Sequence, residues 1–119
     1  MKLWFLTIVM ALGLSGCSKS LDELPLTLRV GAEPSAKMRN DFGIEHYHAG
    51  RYWDAILQFN QASFADPTSG EIHFNLALAY YQDGRKEKAI KNFRQAKERA
   101  RGNLKIIESP ILNELLATN

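Results

Sequence analysis

One thiol and three imidazoles are the groups in this 119-residue chain whose chemistry could reach beyond binding. Cys17 is the only cysteine, and His46, His48 and His73 are the only histidines. His46 and His48 stand two apart, so on a helix they point to different faces and cannot share a metal. Glu45 beside His46 is a neighbour, not a constellation. The chain has no glycine-rich phosphate loop, no nucleophile elbow and no HExxH pattern. These absences lead us to expect no catalytic residue, no metal site and no cofactor. The thiol is different, because its setting is specific. Lys2 precedes an almost wholly apolar run from Leu3 to Leu14, too short to cross a hydrocarbon core of roughly 30 Å but suited to an export signal. Leu14-Ser15-Gly16 then places small residues directly before Cys17.

That ending resembles the bacterial lipoprotein lipobox. The resemblance implies a signal peptide over 1–16, diacylation of the Cys17 sulfur, cleavage before it and acylation of the new amine. It also implies a membrane lipoprotein facing the periplasm, and Ser18 fits outer-membrane sorting in a Gram-negative host. The plainer reading is an ordinary signal peptide followed by a stray cysteine, awkward in an oxidising compartment where thiols pair.

The segment that must position everything else is a pattern written twice. At an offset of 34 residues Gly50 falls on Gly84, Arg51 on Arg85, Ala55 on Ala89, Ile56 on Ile90, Phe59 on Phe93 and Ala62 on Ala96. Tyr47 falls on Tyr81, Phe42 on Leu76 and Gly43 on Ala77. This period marks helix-turn-helix arrays. Ala55, Phe59 and Ala62 share one helical face, as do Ala89, Phe93 and Ala96, with alanines permitting close backbone approach. Gly50 and Gly84 suit a tight turn needing positive φ. Thr68 and Glu71 have capping-box spacing, and Pro67 and Gly102 are helix stops.

These residues resemble the tetratricopeptide repeat family over 36–69 and 70–103. Arg39 and His73 replace the family's early tryptophan, and Arg101 replaces the closing proline of the second copy. The resemblance implies an all-α fold of two helical hairpins with a concave face lined from the first helix of each. Matching positions include Lys37, Asp41, Glu71 and Gln82. The expected partner-binding groove is Asn40, Ile44, Tyr47, His48, Phe74, Asn75, Leu78 and Tyr81, suited to an extended peptide or a helix. The plain reading of Tyr47, Phe74 and Tyr81 is inter-helix packing. Asn75 matches an asparagine of carboxylate-clamp versions of the fold. Asn40 and Ile44 stand where such clamps have lysine and asparagine, which argues against one.

The tail, 104–119, does not begin a third copy. Ser109-Pro110 is a helix start, and Ile111, Leu112, Leu115 and Leu116 form a stripe expected to cap the second hairpin and close a short α-solenoid. The other reading docks that stripe on another protein. Between the lipid site and the repeats lies a tether, 17–35. In it Leu24, Leu26, Leu28 and Val30 alternate with Pro25, Thr27 and Arg29. It reads either as a disordered spacer or as an extended strip lying along the repeats or a partner. The two copies differ on their outer faces: Trp53, Leu57 and Phe64 stand where the second copy has Glu87, Lys91 and Glu98. We expect those three to form an apolar interface, covered by the Leu24–Val30 strip or by a partner.

Formal net charge is +2 without a basic stripe, which excludes nucleic-acid binding of the usual electrostatic kind. The expected function is a membrane-anchored protein-binding adaptor or assembly factor of the bacterial cell envelope. The alternatives are a permanent structural subunit of a membrane complex, with a homodimer possible, and small-ligand or metal carriage.

Overall fold

The computed structural model describes residues 23–118; the expected signal segment over 1–16 and Cys17 lie outside the described residues. In order, the helices are α1 (Pro34–His48), α2 (Tyr52–Ala65), α3 (Gly70–Gln82), α4 (Lys86–Glu98), α5 (Leu104–Ile107) and α6 (Pro110–Ala117). Among the described residues there is no strand. The chain is all-α: α1 and α2 form one hairpin, α3 and α4 the next, α2 packs on α3, and α6 covers α4.

The 34-residue repeat is visible as two superposable turns. After α1, the Gly50 N–H donates to Tyr47 O at 3.0 Å and the Arg51 N–H to His46 O at 2.9 Å. After α3, Gly84 donates to Tyr81 O at 3.1 Å and Arg85 to Tyr80 O at 2.8 Å. Reaching back this way requires left-handed backbone at the glycines, whose φ values are 74° and 79°. Within each hairpin the small residues meet as the spacing predicts. Ala55, Phe59 and Ala62 are fully buried, and so are Ala89, Phe93 and Ala96. Gly43 lies flat against the Phe59 ring, leaving no room for a Cβ. In the second hairpin Phe93 instead meets Phe74 edge-on, with ring centroids 5.6 Å apart.

Helix starts are set by side-chain caps, and one differs from expectation. The cap of α3 is Ser69, not Thr68: Ser69 Oγ accepts from the Ile72 N–H at 3.3 Å. Thr68 is occupied by the preceding turn, donating its hydroxyl to Asp66 Oδ1 at 2.7 Å and its N–H to the same oxygen at 3.0 Å. Ser109 caps α6 as expected, accepting from the Leu112 N–H at 3.2 Å with Pro110 in the first turn. Ile111, Leu112 and Leu115 are buried beneath it. The four-residue α5, which buries Ile106, is too short to carry a periodic signature and has no counterpart in the sequence reading. Glu33 caps α1, its carboxylate accepting from the Ala36 N–H at 2.7 Å.

Two outcomes follow. Gly43→Ala gains helix propensity of up to about 1 kcal/mol but overpacks the buried Phe59 ring, which typically costs 1–3 kcal/mol. Urea unfolding should therefore show a net loss of roughly 1 kcal/mol, converted to neutrality or gain when Phe59→Leu makes room. The backbone hydrogen bond from Ala36 holds the Glu33 carboxyl below its ordinary pKa of 4.5. A depressed folded-state pKa stabilises above the ordinary value and is lost as pH falls through the lowered one. Helix α1 should loosen on acidification, and Glu33→Gln should remove that part of the pH dependence.

Candidate functional site

The groove side chains Asn40 and Asn75 sit on α1 and α3, and both are fully buried. A buried amide without partners costs about 1–3 kcal/mol per unmet group, so their environment must supply hydrogen bonds. It is supplied by the chain itself. Residues 23–29 are not helical and lie along the α1–α3 face. The Leu26 N–H donates to Asn75 Oδ1 at 2.6 Å. Leu26 O accepts from Asn75 Nδ2 at 2.8 Å and from Asn40 Nδ2 at 3.0 Å. Asn75 Nδ2 also donates to Asn40 Oδ1 at 2.8 Å, closing the ring. The pair thus holds the backbone of one residue from both sides and reads no side chain in doing so.

Both ends of the segment are fastened by charge. At its start the Glu23 carboxylate accepts from Ser109 Oγ at 2.7 Å and from the Ile111 N–H at 3.0 Å, at the positive end of the α6 dipole. At its end Arg29 Nε lies 3.3 Å from Glu71 Oε1, and its Nη2 donates to Ala100 O and Arg101 O at 3.4 and 3.3 Å. Glu71 is itself held by Asn103 Nδ2 at 2.9 Å. Pro25 is buried between these anchors, while Leu26 and Leu28 are half-buried against the core. A proline is tolerated because only the Leu26 N–H is needed by the clamp.

The other groove residues divide. Ile44 is half-buried. Tyr47 is largely buried, its hydroxyl facing Glu23 O and its ring edge-on to Tyr52 at 5.3 Å. Phe74 and Leu78 are each 1% exposed and belong to the core. His48 is exposed, and Tyr81 stands at the rim with 36% exposure. The Leu24–Val30 strip therefore lies on the groove and not on the outer face. Trp53, Leu57 and Phe64 remain 52%, 45% and 89% exposed, with the Arg85 guanidinium 4.8 Å from the Trp53 ring centroid. Glu23, Arg29 and Ser109 were not among the residues expected in the groove. The sequence signal that could have found them is a strip with opposite charges at its ends, six residues apart, matching a helix start and an acidic groove residue. Among the described residues no group of three or more His, Cys, Asp or Glu is placed to hold a metal.

Asn75→Ala removes three of the clamp's hydrogen bonds at once and leaves Asn40 and Leu26 with partners missing. The expected cost is about 2–4 kcal/mol in urea unfolding. Leu26→Ala, which keeps the backbone grip and truncates a side chain that is only half-buried, should cost under about 1.5 kcal/mol.

The search of curated proteins returned no match. A family profile described as tetratricopeptide repeat matches residues 40–103, from the first clamp asparagine to the end of the second hairpin. That is more than half of the chain, and the hairpins, their glycine turns and their alanine–phenylalanine faces fall within it. The chain belongs to the tetratricopeptide repeat family.

Proposed function

We propose that this chain is a membrane-anchored adaptor or assembly factor of the bacterial cell envelope. Tetratricopeptide repeats generally bind protein partners, and the observation that carries the reading is the asparagine pair. Two buried amides on neighbouring hairpins grip the backbone of a non-helical segment, which is what peptide recognition in a groove requires. The anchor rests on sequence: a charged start at Lys2, an apolar run from Leu3 to Leu14 and small residues before Cys17. In this reading Cys17 carries the lipid, the protein faces the periplasm, and the membrane is the outer one in a Gram-negative cell. Catalysis has no part in it, and neither does a cofactor.

The mechanism is positional. Two or three acyl chains, each methylene contributing about 0.8 kcal/mol, hold the protein at the bilayer. Only five residues, 18–22, then separate the lipidated cysteine from Glu23, where the docked segment begins. The six steps from Cys17 to Glu23 span at most about 22 Å, so the repeats stay beside the membrane and meet membrane partners at raised effective concentration. A second reading, a permanent subunit of a membrane complex, is favoured by the exposed Trp53, Leu57 and Phe64 stripe, which a standing interface would bury.

Cys17→Ser should move the protein from the detergent phase to the aqueous phase in cloud-point partitioning and abolish labelling by radioactive palmitate. Unchanged partitioning would sink the anchor. Photo-crosslinking from Tyr81 and from Trp53 in intact membranes separates the two readings. An adaptor gives adducts from Tyr81 that rise and fall with partner abundance, whereas a permanent subunit gives a constant adduct from Trp53.

A further inference from the structure

The geometry points to a specific occupant class for the groove: an extended peptide of another protein that carries a carboxylate three residues before an apolar residue, and a basic residue three after it. It further assigns residues 23–29 as a built-in competitor that such a peptide must displace. This rests on the adaptor reading and names the chemistry of its partner.

Three features of the docked segment carry the inference. The first is that the central grip is to backbone alone, through the N–H and C=O of Leu26, so any extended chain satisfies it. Secondly, the contacts that select are at the ends. A carboxylate meets the Ser109 hydroxyl and the Ile111 N–H, and a guanidinium meets Glu71 and two carbonyls. These sites meet residues 23 and 29, three to either side of the Leu26 grip, so only a peptide with both charges in that register fills them together. Thirdly, the segment is attached to the repeats without being part of a helix: Pro25 is buried and Leu26 and Leu28 are half-buried against the core, while Leu24 is 65% exposed, so its hold on the groove is partial. A depression of about 680 Å³ opens beside it against Phe74, Leu104 and Glu108, giving side chains larger than Leu24 and Thr27 somewhere to go.

A segment joined to its groove by a short connection acts at an effective concentration in the millimolar range. A free peptide of micromolar intrinsic affinity is then held to an apparent affinity near millimolar, and binding becomes conditional on a second contact that recruits the partner. Release of residues 23–29 also lengthens the stretch between Cys17 and Pro34, so engagement and reach are coupled.

The test uses the full chain in detergent and a fluorescein-labelled peptide that keeps residues 23, 25, 26, 28 and 29 of the strip with alanine at the others. In the L26P chain the N–H given to Asn75 is lost and the competitor is weakened. The peptide should bind this variant at least tenfold more tightly than wild type, provided far-UV circular dichroism shows the same helix content. Glu→Gln in the peptide should weaken binding at least fivefold, and N75A in the L26P chain should abolish it. Equal affinity for wild type and L26P, or none for a fully helical L26P, overturns the proposal. Wild type gives a reading independent of any variant: millimolar peptide should accelerate hydrogen exchange at the Leu26 amide at least tenfold. Unchanged protection at saturating peptide overturns it equally. Failure here with Tyr81 adducts intact removes the competitor and the motif but leaves the adaptor standing. Loss of the Tyr81 adducts removes the adaptor itself.

Discussion

Two buried amides that must be satisfied govern this structure. Asn40 and Asn75 stand on the first helices of successive hairpins, and neither reaches water. In an apolar interior such groups favour whichever arrangement gives all their donors and acceptors partners. Here that arrangement needs a further stretch of backbone beside the two helices, and Leu26 supplies both its N–H and its C=O. The N-terminal segment is therefore a packing element of the repeat face. Residues that would otherwise be a spacer complete the polar core of the groove.

That constraint also explains how the two repeats among the described residues hold together. Solenoids generally need about three repeats before enough apolar surface is buried. This chain adds cover on two sides. Helix α6 buries Ile111, Leu112 and Leu115 against the second hairpin, and the 23–29 segment lays Pro25, Leu26 and Leu28 on the concave face. The two covers are joined, because the Glu23 carboxylate bonds to the start of α6. The first and last parts of the described chain thereby support one another across the repeats, and loosening one should loosen the other.

Much of the fold was legible because the repeat writes the same packing twice. Ala55 and Ala89, Phe59 and Phe93, and Gly50 and Gly84 are each chosen by one geometric demand that recurs at the same offset. That Asn40 and Asn75 stand on the first helices of the two hairpins was legible through the family resemblance. What fills them was not, because alternating leucines specify an extended strip without specifying the surface it lies on. The decisive contacts are to Leu26 backbone, which no side-chain pattern encodes. The cap of α3 was misread by one residue since Thr68 and Ser69 are both able to cap, and only the competing bond to Asp66 decides between them. Helix α5 spans a single turn, below the length at which periodicity carries information.

The central claim is that residues 23–29 are seated between α1 and α3 by the asparagine pair. Nuclear Overhauser spectroscopy on the isotope-labelled full chain tests it most directly. The account predicts cross-peaks joining the Asn75 side-chain amide protons to the Leu26 amide and to the Asn40 side chain, with extended-backbone chemical shifts over 23–29. Random-coil shifts through that segment, with no cross-peak to either asparagine, would contradict it.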